Sequence, residues 1–417
     1  MDLSILINHA PNTIKWLIFQ AKSILLPPAL TNKFMENLNK DGFSILRSNT
    51  RLNSIHPQVE GINYRWKRKE VNEIIPLDDL KVNTNIYDYK KGIVTELFWG
   101  YGVRDQPVYK MSPWPDVVEK GLTLRRHINQ DETDFEFSIY KDFQELGVTD
   151  YLAFPIDLRS GIRNSMSLAT DKSAGFTDEE VDIIIELSCL FMLHLASYQE
   201  RQITKTLLST YLGSKTGERV LEGKIRRGDV EKIKAAIWFS DLRGFSNLSN
   251  QIEPEELIEL LNEYFETIAN IIDQYGGEVL KFIGDAVLAI FPITVSSTST
   301  DVCRNALQAA QKANSKLEIL NRSRSKQQLH LLNHGIGLHL GIVQYGNIGA
   351  FNRLDFTVIG QAVNLTSRLE GLCGRLGKRT ISSETFANNL EKEDLAYLGE
   401  YELKGFSKPQ KIFSLYE

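Results

Sequence analysis

Two stretches constrain the fold of this chain more than any others: WFSDLRGFS at 238–246 and VLKFIGDAVLAIF at 279–291. Each sets an aspartate, Asp241 or Asp285, at the end of a hydrophobic run and beside glycine and turn residues. The run KAAIWFSD (234–241) is short enough for a buried strand. Pro254 then suits a helix first turn, and Leu257, Leu260, Leu261, Tyr264, Phe265, Ile268, Ile271 and Ile272 recur at helical spacing up to Gly276 and Gly277. Two further strands, 278–283 and 286–291, joined through Gly284 and Asp285, predict a hairpin beside the first strand. That arrangement brings the two carboxylates within bridging distance of a pair of divalent cations, a device for phosphoryl and nucleotidyl transfer.

A second helix near 300–320, a strand at 335–344, a turn-rich loop and a helix near 361–373 follow. Helix leading into hairpin predicts an α+β fold of the ferredoxin-like βαββαβ kind over 234–417. Gly244 precedes Phe245 and Ser246, whose backbone N–H groups can face a polyphosphate. Lys281 lies four residues before Asp285, and period-2 alternation puts Lys281, Ile283 and Asp285 on one strand face. Such a lysine can pair with an aspartate or donate to a ring nitrogen. Asn364 and Arg368, four apart on a predicted helix, share a face. An amide and a guanidinium together suit a phosphorane-like transition state, where charge builds on oxygen; a polar pair holding the helix to solvent is the other reading.

FSDLRGF, the Lys-Phe-Ile-Gly-Asp run, Thr-Val-Ile-Gly, Val-Asn-Leu-Thr-Ser-Arg and Leu-Lys-Gly at 403–405 occur in the order and spacing of one family. In these motifs the region from 234 to 417 resembles the catalytic domain of class III nucleotidyl cyclases. The resemblance implies that Asp241 and Asp285 bind two Mg²⁺ or Mn²⁺ ions, with the main-chain carbonyl of Leu242 as a further ligand. It implies that Lys281 and Thr357 select the base, and that Asn364 and Arg368 position the ribose and stabilise the transition state. Lys404 matches the family's phosphate-binding lysine, and Arg353 is the nearest candidate for a phosphate-binding arginine. The family forms its sites at a dimer interface, which implies a homodimer with two equivalent sites.

Base choice follows from donors and acceptors. Lysine is donor-only, so Lys281 suits the N1 acceptor of adenine and opposes the N1–H of guanine, while Thr357 can accept from the adenine amine. This points to ATP, cyclised to 3′,5′-cyclic AMP with release of pyrophosphate. The alternatives are a guanylate cyclase and a catalytically silent nucleotide-binding signalling module.

The preceding residues divide into an N-terminal helical segment (1–33), a mixed α/β unit (34–198) and a connecting helix (199–233). YLAFPID (151–157) and SMSLATD (165–171) read as neighbouring strands across an SGIRN turn. Thr177 to Glu180 form a capping box, with Phe176 and Val181 as its hydrophobic staple. The helix begun there meets no strong stop before Gly213, and over about 35 residues it extends roughly 50 Å. Ile203, Leu207 and Tyr211 are then candidates for packing against a second chain. The strand pair, the GFTDEE helix start and the long exit helix resemble a GAF-type sensor domain, implying a regulatory role and an unidentified small-molecule effector.

A net charge of −5 argues against a general nucleic-acid binder. The three cysteines, Cys189, Cys303 and Cys373, lie far apart, which fits a reduced, cytoplasmic protein. No transmembrane segment is expected. The N-terminal IKWLIFQAKSILLPPAL, interrupted by Lys15 and Lys22, is read as a helix packed on its own domain, or alternatively as a surface-lying amphipathic helix with Trp16, Phe19 and Leu26 on one face. His330 and His334 have zinc-helix spacing but lack the glutamate base, and are read as structural. Lys224, Arg226 and Arg227 are read as a solvated linker.

Overall fold

A computed structural model describes residues 3–53, 59–71, 83–158, 163–391 and 394–415. The chain divides into two compact units, Met1–Leu207 and Leu208–Glu417.

The first unit begins with α1 (Leu3–His9), α2 (Pro11–Phe19) and α3 (Pro27–Lys40). It continues through β1 (Ile45–Asn53), β2 (Gly61–Arg68), β3 (Asn83–Asp88), β4 (Gly92–Trp99), α4 (Pro107–Lys110), β5 (Leu124–His127), α5 (Ser138–Glu145), β6 (Asp150–Asp157), β7 (Arg163–Thr170) and α6 (Asp178–Leu212). Among the described residues the strands form one sheet in the order β3-β4-β2-β1-β7-β6-β5, antiparallel throughout. The SGIRN turn between β6 and β7 lies partly outside the described residues. Trp16 and Leu17 are buried in the same core as Phe34, Trp66 and Phe191, whereas Phe19 and Leu26 are exposed. Trp16 therefore does not share a face with Phe19 and Leu26, and the helix packs on its own domain, because its largest ring finds apolar partners there.

The α6 start has the geometry of a capping box. The Thr177 hydroxyl accepts from the Glu180 N–H at 3.1 Å, and Glu180 Oε2 accepts from the Thr177 N–H at 2.8 Å. The expectation of no membrane-spanning stretch needs amending. By length and composition alone, α6 is apolar enough to cross a bilayer, with a window of mean hydropathy 1.6. Its inner residues Ile183, Ile184, Leu187, Phe191, Met192 and Leu195 are buried in the first unit's core, which accounts for that composition.

The second unit continues with α7 (Ser214–Leu221), β8 (Val230–Leu242), α8 (Phe245–Leu248), α9 (Pro254–Gln274), β9 (Glu278–Ile283), β10 (Ala286–Pro292), α10 (Ser299–Lys326), β11 (His334–Ala350), β12 (Arg353–Ile359), α11 (Gln361–Leu376), β13 (Thr380–Ser383), α12 (Glu384–Ala387), β14 (Leu395–Tyr401) and β15 (Gln410–Leu415). The sheet order is β14-β15-β13-β11-β8-β10-β9, with β12 paired to β11. Its central part, β11-β8-β10-β9 with α9 and α10 as the crossovers, is the βαββαβ arrangement. One sheet face packs Trp238, Val287 and Ile336 against α9 and α10; the other packs Ile237 and Leu288 against Ala362 of α11.

Two glycines of β11 decide how closely α11 lies on that second face. A Cβ at Gly337 would stand 2.3 Å from the Thr366 carbonyl oxygen, and one at Gly335 would stand 2.9 Å from the Cys373 Cβ. Only a residue without a side chain admits the helix there.

Candidate active site

Asp241 is carried to the site by strand register. Val287 stands opposite Ser240, so one step further along β8 brings Asp241 to the mouth of the hairpin that carries Asp285. The two carboxyls meet there. Burial, then the hydrogen bond and charge of Asp285, push the Asp241 carboxyl up to about 7. Asp241 Oδ1 is buried and has no hydrogen-bond partner.

Gly335 pairs with Asp241 across β11 and β8, so α11 covers the face from which Asp241 projects. A third carboxylate enters from that helix. Glu370 is pushed up to about 7 by burial first, then by the charge of Asp241, against the opposing pull of Arg243. Among the described residues no group of three or more His, Cys, Asp or Glu side chains could hold a metal ion. The aspartate pair presents hard oxygen donors, with Asp241 Oδ1 left without a hydrogen-bond partner. That suits Mg²⁺ or Mn²⁺, which bind through one or two carboxylates and keep positions for water and phosphate.

Leu288 stands opposite both Phe239 and Lys281, which puts Lys281 on the sheet face of Asp241. Its ammonium is engaged: Nζ donates to Asp355 Oδ2 at 2.6 Å, and this contact holds the Asp355 carboxyl below its ordinary value. Thr357 lies two residues further along β12 on the same strand face, and is buried. Lys281, Asp355 and Thr357 therefore form one cluster where β9 approaches β12.

Asn364 and Arg368 are exposed on α11. Around the helix axis Glu370 lies about 200° from Arg368 and about 240° from Asn364. The helix thus turns Glu370 toward the aspartates and carries Asn364 and Arg368 on exposed faces about 120–160° away.

The adenylate and guanylate cyclase catalytic domain, as a family model, matches residues 230–417. Those residues are a cyclase domain of that family. The adenylate cyclase of Anabaena cylindrica is 37% identical over 170 residues, which is 40% of this chain and 32% of that protein. This chain therefore spans about a third of that relative's length. Among solved structures, the adenylyl cyclase CyaB from P. aeruginosa is 30% identical, with a TM-score of 0.42, over 45% of this chain and 96% of that chain. The guanylyl cyclase Cya2 is 29% identical, with a TM-score of 0.40, over 44% of this chain and 92% of that chain.

Elsewhere in the cyclase domain, Leu242 is buried at the end of β8 opposite His334. Phe245 and Ser246 open the one-turn α8 directly after Gly244. Arg353 starts β12 and is exposed, and Lys404 is exposed in the turn between β14 and β15. His334 is structural: it is buried, its Nε2 is 2.9 Å from Asn314 Oδ1, and burial lowers it to about 3. Sequence reasoning missed Glu370 and Asp355. Glu370 does interrupt the buried stripe of Thr366, Leu369 and Cys373, a visible signal. Asp355 carried none, since its partner is 74 residues away.

Proposed function

We propose that the cyclase domain converts ATP to 3′,5′-cyclic AMP and pyrophosphate at two equivalent sites of a homodimer. The observation that carries this reading is the division of α11. The helix presents Glu370 to the paired aspartates and leaves Asn364 and Arg368 exposed, where an aspartate pair of a second copy can face them.

In this reading Asp241 and Asp285, with the Leu242 carbonyl, hold two Mg²⁺ or Mn²⁺ ions. The orphaned Asp241 Oδ1 is an acceptor awaiting a cation. When bound, the ions supply charge neutralisation of the triphosphate and a lowered pKa for the ribose 3′-hydroxyl. Arg368 donates to the α-phosphoryl oxygens as the 3′-oxygen bonds to phosphorus and pyrophosphate leaves. Asn364 holds the ribose, and Arg353, Lys404 and the Phe245 and Ser246 amides hold the phosphates. Lys281 keeps two N–H donors beyond the one given to Asp355, and one serves adenine N1. Thr357 accepts from the adenine amine. The first unit, with its sheet and its long exit helix, acts as a GAF-like regulatory domain.

One observation favours a second reading. Asp355 adds an acceptor beside Lys281, and a carboxylate suits the N1–H of guanine. Product analysis of the purified chain with Mn²⁺ and each nucleotide decides between them, repeated for Lys281→Glu. ATP preference that inverts in the variant supports the adenylate reading, and unchanged preference refutes the donor–acceptor argument.

A further inference from the structure

The first unit contains a cavity of about 640 Å³. Its floor is one face of the sheet, and that face is polar where a core would be apolar. Alternation along β1 puts Arg47, Asn49 and Arg51 on it, and register places Asn63 of β2 beside Arg51 and Arg65 beside Asn49. Arg51 is 2% exposed. Its Nε donates to Asn53 Oδ1 at 3.1 Å, while its Nη2 is buried with no hydrogen-bond partner. The carboxylate whose field it feels, Glu60, is already paired with Arg104 at 2.5 Å.

Three more buried atoms on the same cavity wall lack partners: Asn49 Oδ1, Asn63 Oδ1 and Trp99 Nε1. Leaving one nitrogen of a buried guanidinium, two buried amide oxygens and a buried indole N–H unsatisfied costs free energy at each group. Concentrating them on one wall of a cavity large enough for a small molecule is the signature of a site completed by its ligand. The acidic residues of the lining, Asp142 and Glu145, are exposed, so the buried end is positive. The walls are aromatic, with Trp114, Phe143 and Tyr151 beside Trp99.

We propose that this cavity binds a small aromatic molecule bearing a phosphate or carboxylate group, with the anion on Arg51 and the ligand's N–H or O–H donors on Asn49 and Asn63. Arg51 is planar and forked, which matches either headgroup. The orphaned amide oxygens demand donors, and the rings supply faces for stacking. The site lies wholly in the first unit, and its test does not depend on cyclase activity.

The experiment uses the full chain and four probes: phenyl phosphate, indole-3-acetate, the neutral indole-3-acetamide and inorganic phosphate. Isothermal titration calorimetry reads binding, because indole probes would mask the emission of Trp99 and Trp114, and thermal unfolding of the first unit confirms it. The expected result is that at least one aromatic anion binds at least about tenfold more tightly than the amide, the factor one charge-assisted hydrogen bond supplies. The tighter of the two anions identifies the headgroup, and inorganic phosphate competes only if that headgroup is phosphate. Arg51→Met abolishes the preference for the anion and leaves the ligand-free unfolding midpoint unchanged or higher. Arg51→Lys retains part of the preference. The proposal is overturned if the amide binds as tightly as both anions, if folded Arg51→Met keeps the preference, or if neither anion binds below about 10 mM. The wild-type comparison of anion with amide decides the matter even where the methionine variant fails to fold.

Discussion

Asp241→Asn should stabilise the ligand-free cyclase domain while removing its response to divalent cations. Asp241 is raised from 3.8 to about 7 by burial and by Asp285, a change worth about 4 kcal/mol if the group were fully shielded. The side chain is only half-buried, and solvent screening reduces this to about 1–2 kcal/mol. The sign follows from proton uptake. Between pH 4 and pH 7 the folded state holds a proton that the unfolded chain has released, so stability falls as pH rises through that window and the penalty is complete above about pH 7. Removing the charge at pH 8 should raise the unfolding midpoint of the second unit by roughly 3–6 °C, with a gain at pH 5 of about two-fifths of that. Adding Mn²⁺ at pH 8 should raise the wild-type midpoint and leave the variant's unchanged. Scanning calorimetry at both pH values, with and without Mn²⁺, reads all four midpoints. A variant less stable than wild type at pH 8, or one whose gain is equal at pH 5 and pH 8, refutes the account of a charged pair held in readiness for cations.

The remaining predictions concern assembly and the domain's own support. Inactive Asp241→Ala and Arg368→Ala chains, mixed one to one and allowed to exchange, should recover about a quarter of wild-type activity, because half of the dimers carry one intact site of two. A mixture that stays inactive although both variants fold and dimerise would falsify the shared site. Glu278 is 7% exposed and accepts from the Thr216 N–H and hydroxyl at 3.0 and 2.7 Å and from the Tyr345 hydroxyl at 3.0 Å. Glu278→Ala should therefore destabilise the second unit by about 2–4 kcal/mol in urea unfolding, with Glu278→Gln costing less; equal stability would mean the cluster is satisfied by water. Asp355→Ala should raise activity with ATP relative to GTP by about tenfold, because it removes the acceptor that suits guanine; a fall in that ratio would count against the adenylate reading.

Much of both units is legible in the sequence. The hairpin at Gly284–Asp285, the α9 stop at Gly276 and the capping box at Thr177 are local devices, written in residues that lie within a few positions of one another. Spacing four apart likewise put Asn364 and Arg368 on one face of α11. What α11 does with its other face was not legible. Glu370 reaches the aspartates only because Gly335 and Gly337, some thirty residues earlier, let the helix settle onto β11.

Period, caps and turns act over short range, so the elements, their order and the paired carboxylates can be read from the chain. Which groups share a field depends on how distant elements pack. Lys281 meets Asp355 across 74 residues. β1 (Ile45–Asn53) reads as a polar segment with two arginines, yet all nine of its residues are buried. Their burial depends on two neighbouring strands and the walls of a cavity, and no local pattern encodes a neighbour that arrives from a hundred residues away.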